Sequence, residues 1–352
     1  MEQYFNDAVE LLRKLIATPS ISKQEDKTAQ ILFDFLASKS IDVKRSNNNV
    51  WAKNLHFDTA KTTILLNSHH DTVKPNSAYT RDPFAPTIEG DYLYGLGSND
   101  AGASGVCLLA AFVHFYHRED LPFNLIVAIT AEEENSGTLG LESLLPELGK
   151  LDVAIVGEPT KMQPAVAERG LMVIDCIAHG KAGHAARNEG DNAIFHAIKD
   201  IEWFNTYRFE RESELLGPVK MTTTIISAGS QHNVVPAECK FTVDIRSTDA
   251  YTNGELVDII KQHVRSEVLP RSTRLSPSAI ALDHPLVLGA KALGRETFIS
   301  PTTSDQALLS IPSMKMGVGD SARSHSADEY VLLSEIKEGI GLYIELLENL
   351  KL

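Results

Sequence analysis

The chain has 352 residues, a length that fits two domains of ordinary size. Hydrophobic residues make up 43% and charged residues 23%, which excludes disorder and collagen-like order. With 33 Lys and Arg against 47 Asp and Glu, the formal charge is −14, which argues against nucleic acid or an anionic membrane surface as partner. Cys107, Cys176 and Cys239 are too few and too scattered for a disulfide framework or a thiolate zinc site. Each lies in an apolar or alternating run, the setting of a small buried hydrophobe, and the usage fits a reducing cytoplasm. The opening MEQYFNDAVELL lacks a basic stretch followed by an apolar one, so no signal peptide is expected. No apolar run reaches the roughly 18 residues of a membrane span. The expectation is a soluble, cytoplasmic protein.

Phe5, Ala8, Val9, Leu12, Leu15 and Ile16 recur at helical spacing until Thr18-Pro19 ends the pattern. A second helix is expected from about Thr28 to Ser38. Short β-rich runs follow at Val50 to Asn54, Thr63 to Asn67, Phe123 to Ala131 and Asp152 to Val156. Between them a helix from about Ser104 to Tyr116 is opened by the Gly-rich stretch Gly95 to Gly105. Strands that are apolar nearly throughout and alternate with helices predict an α/β layer with a sheet covered on both faces.

From about Pro164 the rhythm changes. Strands are expected at Val173 to Ala178, Met221 to Ser227, Lys240 to Arg246 and Arg274 to Ile280, with helices at Asn192 to Tyr207 and Asn253 to Val264. This pattern suits a small split βαβ layer. The tail returns to the first style and ends in an amphipathic helix carrying Ile336, Ile340, Tyr343, Ile344 and Leu347. The reading is one domain formed by residues 1–163 and 281–352, with a second, residues 164–280, inserted into it.

Acidic and imidazole residues fall just after the apolar strands. Ile64 to Asp71 is a strand ending in His69-His70-Asp71, and alternation puts His69 and Asp71 on one side and His70 on the other. That suits His69 as a metal ligand with Asp71 fixing its ring, although a polar loop after a buried strand reads similarly. The turn Gly95-Leu96-Gly97-Ser98-Asn99-Asp100 spells neither GK[ST] nor GxGxxG, so a phosphate loop is not indicated. Asp100 serves either chemistry or a helix cap. Glu132-Glu133-Glu134 repel one another unless a cation or water neutralises them. Glu158 closes another strand, and His325 stands late in the chain. Each feature has a plain alternative as a loop polar group. Together they would converge on one edge of one sheet, where open α/β sheets bind ligands. Oxygen and nitrogen donors without sulfur suit Zn²⁺, Co²⁺ or Mn²⁺. His56, His114, His117, His179, His196, His232, His263 and His284 lack such a setting and read as surface or structural residues.

These motifs resemble the M20-type co-catalytic metallo-aminoacylases and exopeptidases, which include acetylornithine deacetylase, succinyl-diaminopimelate desuccinylase and carboxypeptidase G2. The resemblance covers nearly the whole chain. It rests on His69-His70-Asp71-Thr72-Val73, the Gly-rich turn ending at Asp100, Glu133-Glu134, Gly157-Glu158-Pro159, Gly183-His184 and His325, in that order. It implies two divalent ions, zinc foremost with cobalt as the alternative, bridged by Asp100. His69 and Glu158 complete one site, and Glu134 and His325 the other. It makes Glu133 the general base and Asp71 the orienting acid. The inserted domain becomes a ferredoxin-like lid that mediates homodimerisation, and His184 crosses from the partner subunit to stabilise an oxyanion. Ser68, Ala101-Gly102 and Glu132 depart from the commoner pattern, but none removes a ligand.

The implied activity is hydrolysis of the amide bond of a small N-acyl amino acid, foremost N²-acetyl- or N²-succinyl-ornithine to ornithine in arginine biosynthesis. Succinyl-diaminopimelate desuccinylase or a dipeptidase is the alternative within the same chemistry. A non-catalytic metal- or ligand-binding relative is the alternative of another class, and the retained Glu133 speaks against it. Arg246 is the candidate clamp for a substrate carboxylate, with a salt bridge to Asp244 or Asp249 as its rival reading. Asn233, Ser304 with Asp305, and Arg323 are weaker candidates for substrate contacts.

Overall fold

The run Phe123–Thr130 (FNLIVAIT) is buried at every residue, as a strand covered on both faces must be. In the computed structural model, which describes residues 1–351, it lies in a sheet that has nine strands among those residues. The order runs Val43–Ser46, Asn49–Lys53, Phe123–Thr130, Thr62–His69, Val153–Val156, Ser313–Lys315, Ala165–Glu168. The four strands from Phe123–Thr130 to Ser313–Lys315 are parallel, and antiparallel pairs flank them, giving a mostly parallel mixed sheet.

Residues Met1–Val166, Ala279–Ser300 and the chain from Ser304 onward form one compact unit, and Ala167–Ser278 with Pro301–Thr303 form another. In the first unit, alternation along Thr62–His69 feeds two cores. Ile64 and Leu66 join Leu12, Phe112, Ile340 and Tyr343 on one face, whereas Leu65 joins Ile126, Leu144 and Ala154 on the other. The helix Ala103–Phe115 is apolar on nearly all sides because it packs against both Glu2–Ile16 and Leu333–Glu348.

Register decides where the polar ends emerge. His69 pairs with Thr130 and Asn67 with Val156 across parallel strands, so three strands finish at the same edge. The residues that follow, Asp71, Glu132 to Glu134 and Glu158, therefore leave the sheet side by side.

The second unit runs strand Gly170–His179, helix Ala193–Thr206, strands Lys220–Ala228 and Glu238–Ser247, helix Asn253–His263, strand Glu267–Pro270. Its main sheet has the order Lys220–Ala228, Glu238–Ser247, Gly170–His179, Glu267–Pro270, antiparallel throughout, which is the split βαβ topology. Gly170–His179 alternates between buried and half-buried positions. Met172, Ile174, Cys176 and Ala178 share a core with Ala197, Phe204, Leu256 and Ile260 of the helices. Asn192 caps the first helix and a Thr252–Glu255 capping box opens the second, each cap contributing about 1 kcal/mol. The fourth strand is not the expected Arg274 to Ile280. Glu267–Pro270 takes that place, and its proline is tolerated because the strand lies at the edge. Of the expected segment, only Ser278–Ala279 is extended in a sheet, and that sheet is the nine-stranded one.

Candidate metal centre

Five side chains meet at the carboxyl edge of the first unit's sheet. His69 Nε2 stands 3.3 Å from Asp100 Oδ1 and 3.7 Å from Glu158 Oε1. His325 Nε2 stands 3.0 Å from Glu134 Oε2 and 3.7 Å from Asp100 Oδ2. The two oxygens of Asp100 thus face different imidazoles. Two donor atoms each bound to one cation at Zn–N and Zn–O distances lie roughly 3.4 Å apart in tetrahedral geometry, and these spacings bracket that value. Glu133 Oε2, 3.9 Å from His69 Nε2, is also within reach, and His69, Glu133 and Glu158 form a second possible grouping beside His69, Asp100 and Glu134. Among the described residues, His69 Nε2 and Glu158 Oε1 are buried without a hydrogen-bond partner. Such atoms are costly unless something coordinates them, and this donor set fits a divalent cation.

Asp71 organises the inner wall. It is fully buried, receives the Ser22 hydroxyl at 2.7 Å, and accepts the backbone N–H groups of Glu133 and Glu134 at 3.0 and 3.1 Å. Its Oδ1 lies 3.4 Å from His69 Nδ1, and its carbonyl oxygen 3.0 Å from the same nitrogen. Asp71 therefore holds the ring of His69 through its carbonyl oxygen, with its carboxylate close by, and the two glutamates across the crevice through its carboxylate. His70 faces away, toward the Thr28 hydroxyl and the Asn48 carbonyl, as strand alternation requires. Ser68 joins two further loops, with its hydroxyl 2.8 Å from the carbonyl oxygen of Gly157 and 3.3 Å from that of Ala101. Gly157 lets the chain pass close to the helix, since a Cβ there would lie 2.8 Å from Leu108 Cδ1 and 3.0 Å from Ser104 Cβ.

The charges are crowded. Burial pushes the Glu133 carboxyl well above its usual range, and Glu158, Asp305 and Glu134 push the same way against the pull of His69. Burial likewise raises Glu158 to about 8, with Asp100 and Glu134 adding and His69 and Lys315 opposing. Burial alone would lower His69, but the neighbouring carboxylates of Asp100 and Asp71, with Glu133 and Glu158, raise it well above an ordinary imidazole. The hydrogen bond to Glu134 raises His325 to about 9. Carboxylates this close cannot all ionise without a positive charge among them, which a divalent cation supplies.

Other candidates lie elsewhere. His184, in the second unit, is exposed on the short strand Gly183–His184, which pairs with Val234–Val235. Asn233 immediately precedes that pair, and its carbonyl accepts the Ala185 N–H. Arg246 is held by Asp244 within its own strand, at 2.8 and 3.2 Å, the arrangement named above as its rival. Ser304 is buried and caps the turn Asp305–Leu308. Arg323 makes a bidentate pair with Glu335 at 2.7 and 3.0 Å and lies over the Tyr330 ring, so its fork is committed to structure.

Two further buried acids stand near these groups: Asp305, beside the candidate Ser304, and Glu329, to which the sequence assigned no role. Asp305 accepts the Thr130 hydroxyl at 2.8 Å, and burial raises it to about 6. Glu329 accepts backbone N–H groups from the turn that carries Asp100. Both stand in segments singled out for a neighbour, but only the fold shows what they face.

Fold and site together define a metallohydrolase. Residues 65–349 match Peptidase family M20/M25/M40, and the chain belongs to that family of amide-bond hydrolases. Succinyl-diaminopimelate desuccinylase 2 of Ruegeria sp. (strain TM1040) is 27% identical over 284 residues, 75% of this chain and 71% of the relative. Acetylornithine deacetylase of Proteus mirabilis (strain HI4320) is 28% identical over 374 residues, 97% of this chain and 96% of the relative. Among solved structures, Bacillus subtilis YXEP, described as a dinuclear metal-binding peptidase of the M20 family, superposes with a TM-score of 0.75 at 15% identity, covering 99% of this chain and 98% of that one. No helix among the described residues is long and apolar enough to cross a membrane.

Proposed function

We propose that the protein hydrolyses the amide bond of a small N-acyl amino acid, foremost N²-acetyl- or N²-succinyl-ornithine to ornithine. The observation that carries the reading is Asp100, whose two oxygens face His69 and His325 separately. In this reading His69 and Glu158 hold one divalent ion, zinc foremost, Glu134 and His325 hold the other, and Asp100 touches both. When bound, the ions lower the pKa of a water molecule and polarise the amide carbonyl. Glu133 accepts the proton of the attacking water and delivers it to the amide nitrogen as the C–N bond breaks, so that the amine leaves neutral. Asp71 keeps His69 in the tautomer that presents Nε2 to the crevice.

The inserted unit serves as lid and dimerisation domain, and His184 of a partner subunit donates to the developing oxyanion. Support for pairing comes from the edge strand Lys220–Ala228 and the helix Ala193–Thr206 packed beside it. Ile226 (55% exposed), on the helix side of the strand, and Phe195 (64%) of the helix leave there an apolar surface beside unpaired backbone, with Ile225 (57%) on the opposite face, which a second copy of the strand would cover. Arg246 binds the substrate carboxylate only in competition with Asp244.

A second reading, desuccinylation of N-succinyl-diaminopimelate, is favoured by relatives of that name, including one 24% identical over 379 residues from Cereibacter sphaeroides. A screen of the Zn²⁺- or Co²⁺-loaded protein against N-acetyl- and N-succinyl-ornithine, -citrulline, -lysine and -diaminopimelate, together with dipeptides, decides between them. Turnover of the acylornithines supports the first reading, and turnover of the succinyl-diaminopimelate alone supports the second. Hydrolysis of dipeptides only would overturn both.

A further inference from the structure

The turn that presents Asp100 is held by an acid far along the chain. Glu329 is only 1% exposed. Its Oε1 accepts the backbone N–H groups of Asn99 at 2.8 Å and Asp100 at 3.0 Å, and its Oε2 accepts that of Gly97 at 3.2 Å. Its own carbonyl accepts the Gly95 N–H at 2.9 Å. Gly97 sits at φ 77, a left-handed conformation that lets the turn direct these amides inward. Three amides converging on one carboxyl group form a nest filled from within the chain.

The same segment carries His325, four residues earlier. The Asn99 side chain grips it from the other flank, accepting the Asp320 N–H at 2.9 Å and donating to the Asp320 carbonyl at 3.1 Å. Asn76 donates to the His325 carbonyl at 3.1 Å, and Asp328 accepts the backbone N–H groups of Thr80 and Arg81. Glu329 therefore bonds the Asp100 turn directly and the His325 turn through the chain.

We propose that Glu329 is a positioning residue that sets the spacing of Asp100 from His325, and thereby the affinity for the cation those two share; this rests on the metal-centre reading above. Glu329→Gln turns an NH₂ group toward amide donors, so at least one buried N–H loses its acceptor. Partners that orient ligands from outside the coordination sphere typically change metal affinity about 10–100-fold.

The test is a Co²⁺ titration of metal-stripped protein, followed by calorimetry and visible absorption, alongside the Tm of each metal-free variant. A matched control is Asp200→Asn, which alters a buried acid in the second unit that accepts the Arg265 and Ser266 amides. Wild type is expected to take two Co²⁺ per chain, whereas E329Q binds one of them about 10–100-fold more weakly with altered absorption bands. Asp200→Asn should melt earlier yet bind cobalt as wild type does. Wild-type affinities and spectrum in E329Q would overturn the inference, as would equal weakening in the control. Should E329Q not fold, Glu329→Asp decides, because it keeps the carboxyl group but withdraws it by one methylene. Unchanged binding there is equally fatal. If wild type itself takes fewer than two ions, the metal-centre reading fails first.

Discussion

The two units handle exposure in opposite ways. In the first, polar groups lie where apolar strands end, and His69, Asp71, Asp305 and Glu329 are all buried. In the second, the sheet buries an alternating apolar face well but leaves Ile225 and Ile226 in the open on an edge strand. Each arrangement is unfavourable for an isolated chain and becomes favourable with a specific partner. On the function proposed above, that partner is a pair of cations for the first unit and another copy of the chain for the second. The excess each unit carries is therefore a guide to what it binds.

The comparison breaks most sharply at Glu133. Glu133→Gln is expected to lower kcat by about 10²–10⁴ while metal content stays at the wild-type level, because the base is distinct from the ligands. Asp100→Ala is expected to lose metal, and equal metal loss in both variants would refute the division of roles. His184→Ala should lower turnover by about 10²–10³. Mixing it with a Glu133→Ala subunit should restore part of the activity, and no recovery in a verified heterodimer counts against a site shared across subunits. Ile226→Lys places a charge on the exposed edge and is expected to shift the protein toward monomer in analytical ultracentrifugation, with activity falling in proportion. A fully active monomer would separate dimerisation from catalysis. Ser68→Ala, the mildest change, removes a hydroxyl placed between two loop carbonyls and should cost about 1 kcal/mol in urea unfolding of the metal-free protein.

The crown of the first unit was largely legible because an apolar strand that stops at His69 or at Thr130 announces an edge, and ordered motifs supplied the rest. Parallel register sets the ends of three strands side by side, and the turn carrying Asp100 and the loop carrying His325, 31 and 256 positions from His69 in sequence, join them there. Glu329 and the contact of Asp305 with Thr130 were not legible, since backbone amides and a hydroxyl carry no sequence signature as partners. In the second unit the alternation of Gly170–His179 was plain, but the fourth strand has only Val268 and Leu269 as apolar residues before Pro270, too short a signal to outweigh the longer run after Arg274. The Arg246–Asp244 pair illustrates a local effect. Residues two apart on a strand share a face, and an acid so placed captures the guanidinium.

The most direct measurement is anomalous diffraction at the zinc edge from crystals of the Zn²⁺-loaded protein. Two peaks are predicted, about 3.5–4 Å apart, on opposite sides of the Asp100 carboxylate, one beside His69 and Glu158 and the other beside Glu134 and His325. A single peak, or peaks away from Asp100, would contradict the account.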